Sequence, residues 1–367
     1  MTTRFATWPP WAARLVLVVM TALIVWGALV TPVSQLVRPG PPRGSNELLY
    51  RAITERVARG ENYYTAAAAE QRARYFPTSP AQTFREPTLA WILAALKTDQ
   101  ARWLAMIGIS LAVLAAFGKA LAWTGLDARL RWSAMPLIAS GLAISWFPGS
   151  AYLHEVWAGL LMALSLALYR PGRWVVPLLI GLAACFVREL AVPYLAAMAL
   201  SALVERRHRE FAGWAAGIAL FAGFFAWHLA VARTLHEAGD LTRAGWVYFG
   251  GWPFVLETAR QNVVLIFAPN VVVAALACFA LVGFAGPRNR WLSRAALVTG
   301  GYMVSFLIAG WPGNVVWGPG NAYWGLLYAP LFPLGIALAP LSLRDLALSA
   351  WGAPRSHSSL RAHNKAI

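Results

Sequence analysis

Charged residues are scarce in this sequence, and acidic residues are the scarcer kind. Only 13% of the 367 residues are charged, and Asp and Glu together number 15. An ordinary soluble protein carries about 25% charged residues. The shortage excludes a chain of two or three soluble domains, which is the number that the length alone would allow.

Cysteine is almost absent as well. The two cysteines, Cys185 and Cys278, both lie within apolar stretches. Two isolated thiols in such surroundings predict neither a disulfide framework nor a metal site built on cysteine.

In place of charge, the sequence has long apolar blocks. Hydrophobic residues make up 59% of the chain, and a block of about 20 residues is long enough to cross a bilayer. The blocks predict an all-α polytopic transmembrane bundle of about ten spans, with residues 1–350 as a single domain and 351–367 as a basic cytoplasmic tail. They run approximately over residues 11–30, 103–123, 132–147, 156–168, 174–187, 190–204, 211–231, 263–284, 295–308 and 323–341.

The basic residues between the blocks predict how the spans are oriented. Lys and Arg number 31, and the formal net charge is +16. In a soluble protein this excess would suggest nucleic acid, but cytoplasmic loops of membrane proteins also collect Lys and Arg. Every even-numbered block is followed by basic residues. The sequence therefore predicts a multi-pass protein of the inner (plasma) membrane with both termini in the cytoplasm and no nucleic-acid partner.

The long first loop on the other face, residues 32–102, is predicted to fold rather than to act as a linker. Apolar residues recur at helical spacing from Ser45 to Arg59. This pattern predicts an amphipathic helix suited to lying on a membrane surface. Further helices are predicted from about Tyr64 to Tyr75 and from Thr88 to Lys97.

The same loop is rich in basic residues. Ten of the 31 lysines and arginines lie between Arg38 and Arg102, on the face where the positive-inside rule does not place them. This excess indicates an anionic, membrane-bound substrate.

Four of the acids stand at span ends on that same face, each next to a polar or basic neighbour. Ionisable residues at membrane depth are costly and commonly mark functional sites. A carboxylate can act as a general base toward a hydroxyl, and arginines can hold a phosphate. The alternative is that these residues cap helices or pair with one another to hold the span ends together. The four pairs are Asn46-Glu47, Arg85-Glu86, His154-Glu155 and Arg188-Glu189.

Three segments of the first loop resemble a known family. They are Asn46-Glu47-Leu48-Leu49-Tyr50, Gly60-Glu61-Asn62-Tyr63-Tyr64 and the stretch from Phe84 to Trp91. The segments resemble the first extracytoplasmic loop of GT-C glycosyltransferases, polytopic enzymes that transfer a sugar from a polyprenyl-phosphate donor. Similar members include protein O-mannosyltransferases, the aminoarabinose transferases of lipid A, and related bacterial mannosyl- and arabinosyltransferases.

The resemblance implies a GT-C fold, an extracytoplasmic active site and transfer of a sugar to a glycan, lipid or protein acceptor beside membrane lipids. Asn46 stands where the family usually places its catalytic Asp, so Glu47 is the first candidate for the base and Glu86 the second. Arg85 and Arg188 are expected to bind the donor phosphate. Some relatives use a divalent metal, but no Asp-x-Asp sequence occurs here, which predicts no metal and no other cofactor. The other residues expected to bind or shape the substrate are Asn46, Tyr50, His154, Glu155 and Glu189.

Two alternatives stay open at this stage. A transporter or flippase of lipid-linked sugars would carry acids midway along its spans and broken helices in matched halves, whereas the acids here gather at one face. A polysaccharide polymerase or ligase would use the same face with a diphosphate-linked donor.

Overall fold

A computed structural model describes residues 3–30, 45–243, 245, 249–310, 313–314 and 318–352. Within these ranges nearly all regular structure is helical, which confirms the prediction of an all-α fold. The beginning of the predicted first loop, up to residue 44, and the predicted basic tail from residue 353 onward lie outside the described residues.

The described ranges contain fourteen α-helices, numbered in chain order. They are α1 (Pro10–Leu29), α2 (Asn46–Ala58), α3 (Tyr63–Ala73), α4 (Thr88–Ala95), α5 (Asp99–Trp123), α6 (Ala128–Leu142), α7 (His154–Leu168), α8 (Val175–Val187), α9 (Val192–Val204), α10 (His208–Arg233), α11 (Gly251–Ala259), α12 (Asn270–Ala285), α13 (Arg290–Ile308) and α14 (Phe332–Ala350). Short 3₁₀ helices cover Arg4–Thr7, Ala81–Thr83, Ala143–Trp146, Pro148–Tyr152, Glu189–Ala191 and Ala322–Leu327. Two strands of two residues each, β1 (Gly313–Asn314) and β2 (Gly318–Pro319), pair antiparallel.

Five of these helices are long and apolar enough to cross a membrane: α1, α5, α10, α13 and α14. Helix α1 is the least covered by protein, with only 11% of its most apolar window buried. A helix this apolar and this exposed is better suited to a lipid environment than to water. Shorter apolar helices, including α7, α8 and α12, pack among the long ones.

The structure differs from the predicted spans at two places. Residues 260–269 form a turn, in which Arg260 Nη1 donates to the carbonyl of Ala268 (2.5 Å), so α12 begins only at Asn270. The last apolar run starts as the 3₁₀ helix Ala322–Leu327, and α14 runs from Phe332 to Ala350. Because hydropathy continues across both breaks, the apolar pattern alone does not reveal them.

Close backbone approach holds the middle of the bundle together. Helices α12 and α14 cross at Gly283 and Gly335. A Cβ atom on Gly335 would lie 2.6 Å from the carbonyl oxygen of Ala280. Small residues at such crossings let helices pack closely where lipid removes the hydrophobic driving force.

The three helices of the first loop form as predicted. The Ser45 side chain caps α2 by accepting a hydrogen bond from the amide of Leu48 (3.2 Å), and Gly60 ends the segment at a φ of +91°. Helix α2 buries Leu49 and Ile53 against α3 and α4, while Leu48 stays 52% exposed. Most of its apolar face is thus covered by protein, which differs from the membrane-facing stripe that the pattern predicts.

A buried ion-pair cluster lies at the other end of the bundle. Arg294 is 1% exposed and contacts Glu210 (2.9 Å) and Glu205 (3.2 Å), with its guanidinium 4.1 Å from the ring centre of Tyr169. Arg294 follows the eighth apolar block, where the sequence suggests a topology signal facing solvent. In the structure it instead joins the ends of α7, α9, α10 and α13.

Candidate functional site

Seven of the nine predicted site residues come together at the end of the bundle that carries the first-loop helices. Two of them lie just before α4, two open α7, two lie in the break between α8 and α9, and one is on α2. The pairs that are separate in sequence therefore form one cluster rather than isolated span-end contacts. The seven residues are Tyr50, Arg85, Glu86, His154, Glu155, Arg188 and Glu189.

Proline and backbone geometry place Arg188 in this cluster. Helix α8 ends at Val187, and Arg188 is extended, with φ −154° and ψ 115°. Pro193 stands in the first turn of α9, where a proline is tolerated although it cannot continue a preceding helix. The break between the two apolar helices thus places Arg188 and Glu189 in the cluster.

Arg188 is the most tightly held group of the site. Its side chain is 1% exposed. Its Nε donates to Glu155 Oε1 (2.7 Å), and its Nη1 bonds Glu189. Its Nη2 has no hydrogen-bond partner among the described residues. Two carboxylates therefore hold this guanidinium in place, leaving one donor unused.

Arg85 is different, because it is buried without an acidic partner. It is 6% exposed, and no Asp or Glu of the described chain lies within ion-pair distance of it. Its Nη2 is 3.4 Å from the hydroxyl of Tyr323, and its Nε has no partner among the described residues. Glu155 and Glu189 act on it electrostatically from beyond that distance, so its charge is compensated while its Nε keeps the capacity for one further hydrogen bond.

Most of the other described arginines of the first loop pair with acids. That their excess indicates an anionic substrate stays a prediction. Among the described loop residues, the arginines that pair with acids are Arg51, Arg56, Arg72, Arg74 and Arg102. Among the described loop residues, Arg85 is therefore the buried arginine whose donors no carboxylate occupies, while Arg59 is exposed.

Glu86 is fully buried next to a second carboxylate. Its Oε1 accepts a hydrogen bond from the amide of Glu189 (3.1 Å), and its Oε2 has no partner among the described residues. Burial, together with the nearby charge of Glu189, raises the pKa of Glu86 well above its usual value. The raised pKa favours the protonated form of Glu86, which is a hydrogen-bond donor, over the carboxylate that a base requires.

Tyr50 and His154 form the aromatic side of the cluster. Their rings meet edge to face with centroids 4.5 Å apart. His154 is 3% exposed, and neither ring nitrogen has a described partner. Burial raises the pKa of Tyr50 to about 12, so its hydroxyl keeps its proton. Both residues line a small cavity with room for about one water molecule.

Glu47 and Asn46 lie at the rim of the cluster rather than within it. Glu47 precedes Tyr50 by three residues, which puts both on one side of α2. Its carboxylate rests against Gly149, is partly exposed and has no ion pair or hydrogen bond with described residues. Asn46, the first residue of α2, makes no side-chain hydrogen bond with the described chain.

Sequence reasoning missed three groups that support the site. Tyr323 contacts Arg85 from a segment far along the chain. The hydroxyl of Tyr63 donates to the carbonyl of Arg85 (2.6 Å). His228 lies 3.3 Å from the carbonyl of Phe84 and 3.0 Å from the hydroxyl of Tyr64. In the sequence, only the segment from Gly60 to Tyr64 points to any of these groups, because partners that are distant along the chain produce no local pattern.

The salt bridge between Arg72 and Asp240, which we call the latch, joins α3 to the segment after α10 and holds the first loop in place. Arg72 donates to both oxygens of Asp240 through Nε (2.7 Å) and Nη2 (2.8 Å). The adjacent backbones also pair, with the amide of Thr78 donating to the carbonyl of Leu241 (3.1 Å). The hydrogen bonds from Arg72 hold the pKa of Asp240 well below its usual range.

Asp240→Asn is expected to destabilise the protein by about 2 kcal/mol at neutral pH, because it weakens a paired, charge-assisted contact. A carboxyl whose pKa is lowered in the folded state contributes stability above its unfolded pKa, near 4, and loses it as pH falls. Melting curves of both proteins should therefore differ at pH 7 and converge progressively below about pH 4. A constant difference at every pH would refute the latch.

No protein-family model, characterised protein or solved structure matches this chain.

Proposed function

We propose that this protein is a membrane glycosyltransferase that transfers a sugar from a polyprenyl-phosphate donor to an extracytoplasmic acceptor. In this proposal it has a GT-C-like fold of about ten spans in the inner (plasma) membrane. Both termini lie in the cytoplasm, and the cluster faces the opposite side. The observation that carries the proposal is Arg85, a buried guanidinium without an acidic partner beside a second, carboxylate-bound arginine.

The unoccupied donors of the cluster fit a phosphate. Glu155 and Glu189 bind Arg188 directly and act on Arg85 only at longer range, so no carboxylate of the described residues occupies the donors of Arg85. Arginine binds phosphate oxygens through charge-assisted bonds. The unused donors, Arg85 Nε and Arg188 Nη2, supply two such bonds. In the transfer they would stabilise the phosphate as it leaves.

The rim residue Glu47 fits the role of the base. It takes the proton of the acceptor hydroxyl as the acceptor oxygen bonds to the anomeric carbon. On the opposite face of the sugar ring, the bond from that carbon to the phosphate oxygen breaks, and its electron pair leaves with the phosphate. The configuration is thereby inverted, as in inverting glycosidases. Asn46 and Tyr50 lie beside Glu47 on α2, and His154 and Glu86 offer polar contacts to the sugar.

The transporter alternative is less well supported. Its acids would lie midway along the spans, whereas His154 and Glu155 open α7. Arg85 and Glu86 lie in the loop before α4. Groups at helix ends suit chemistry at the membrane interface better than passage through it.

The experiment is to reconstitute the full-length protein in liposomes and supply polyprenyl-phosphate donors that carry labelled sugars. We expect the label to move to an added acceptor and free polyprenyl phosphate to accumulate in equal amount. Movement of the intact donor between leaflets without cleavage would favour a flippase. Use of diphosphate donors alone would favour a polymerase or ligase, and either result would overturn the proposal.

A further inference from the structure

The contact between Glu47 and Gly149 is unusual among the close glycine contacts of this protein. A Cβ atom built on Gly149 would lie 2.5 Å from the carboxyl carbon and from both carboxyl oxygens of Glu47. Other glycines in tight contact face backbone carbonyls, as where Gly159 meets Leu326, or uncharged side chains, as where Gly213 meets the indole ring of Trp174. Those glycines let elements pack, whereas Gly149 is the only glycine of the described residues whose added Cβ would meet a carboxylate.

We propose that Gly149 is a positioning residue that sets where the carboxylate of Glu47 lies. The missing side chain at position 149 leaves the space into which this carboxylate fits, at the rim of the Arg85 and Arg188 cluster. The inference rests on the proposed function, because it concerns the base of the transfer reaction. Gly149, which lies in a turn, would thus determine where a carboxylate carried by helix α2 lies.

The turn that contains Gly149 is firmly anchored. In the 3₁₀ helix Pro148–Tyr152, the hydroxyl of Tyr152 donates to Asp99 (2.5 Å) and accepts from Arg102 (2.9 Å). The indole of Trp157 donates to the carbonyl of Ala151 (2.8 Å). These bonds tie the turn to the start of α5 and to the first turns of α7.

Glu47 is the partner that would move. Its carboxylate has no hydrogen bond or ion pair with the described chain, and its side chain can rotate about three bonds. Since Gly149 does not have a positive φ, an alanine fits its backbone without strain. Gly149→Ala therefore displaces the carboxylate while leaving the turn and the fold in place.

The test compares the turnover of the wild-type protein with that of Gly149→Ala in the liposome assay. A shift of about 1 Å in a catalytic group can cost roughly 100-fold in rate, so we expect turnover to fall roughly 10- to 100-fold. The KM for the donor should stay within about twofold, because the phosphate site is untouched. Gly108→Ala is the matched control, since nothing lies within 4 Å of its added methyl group, and it should retain wild-type turnover.

A double-mutant comparison separates positioning from a structural effect. If Gly149 acts through Glu47, Gly149→Ala should add no further loss in a Glu47→Gln background. The penalty should also shrink beside Glu47→Asp, whose shorter side chain clears the methyl group. Unchanged turnover in Gly149→Ala would overturn the inference. So would an equal loss in all three backgrounds together with a lower melting temperature.

The proposed function fails in a different way. It fails if the wild-type protein itself transfers no sugar. The inference about Gly149 fails when the wild-type protein and Glu47→Gln behave as expected but Gly149→Ala does not.

Discussion

Arg85→Met is expected to lower kcat/KM for a polyprenyl-phosphate sugar about 100- to 1,000-fold, the usual effect of removing one preorganised group that stabilises developing charge. Methionine keeps much of the length and apolar character of the side chain but has no charge and no donors. The melting temperature should change little, because no acid of the described residues forms an ion pair with Arg85 that the change would break. Initial rates at several donor concentrations, with melting curves of the same preparations, measure both effects.

Arg59→Met is the matched control for this prediction. Arg59 belongs to the same loop but is exposed, so its loss should change kcat/KM by less than about twofold. If Arg85→Met lost stability while donor use was unchanged, Arg85 would be a structural residue and the phosphate site would lie elsewhere.

Glu47→Gln is expected to lower turnover about 100- to 10,000-fold, the range by which general base catalysis accelerates proton transfer. Glutamine has the shape of glutamate but cannot accept the proton of the acceptor hydroxyl. The KM for the donor should change little, since Glu47 lies at the rim and away from Arg85 and Arg188. Single-turnover rates at saturating donor give the cleanest measurement.

Glu86→Gln distinguishes the two candidate bases. Because burial and the charge of Glu189 raise the pKa of Glu86 and favour its neutral form, glutamine resembles that form and should cost much less turnover than Glu47→Gln. A severe loss in Glu86→Gln, with normal turnover in Glu47→Gln, would exchange their roles.

The local structure of the first loop could be predicted from sequence because its signals are short-range. Ser45 and Gly60 mark the ends of the first helix through side-chain capping and a left-handed backbone. Helix α4 starts directly after Pro87, as expected. Each signal acts within a few residues, so reading the pattern is enough.

The sequence predicts only in part that the charged dipeptides cluster in the folded protein. Their positions at span ends on one side follow from the alternation of apolar and basic segments. The sequence does not indicate which arginine stays unpaired, since Arg56 and Arg85 look alike in sequence. Arg56 meets Glu61 and Glu70, whereas Arg85 meets a tyrosine from a distant segment. Such differences depend on packing between helices, which one sequence does not encode locally.

The contact between Glu47 and Gly149 lay beyond sequence reasoning altogether. A glycine after a proline at position 148 is typical of any turn. Its meaning depends on the distance to a side chain about one hundred residues earlier. The breaks at residues 260–269 and before Phe332 were missed for a related reason, because uniform hydropathy hides where the helices end.

The central claim is that Arg85 and Arg188 form a receptor for a lipid-linked phosphate. It is tested most directly by measuring the binding of polyprenyl monophosphate, without a sugar, to the purified full-length protein in detergent. We predict saturable binding by the wild-type protein and by Arg59→Met, and binding that is weaker by about 10- to 100-fold in Arg85→Met, as expected for the loss of charged hydrogen bonds. Equal binding by the wild-type protein and Arg85→Met would contradict the account.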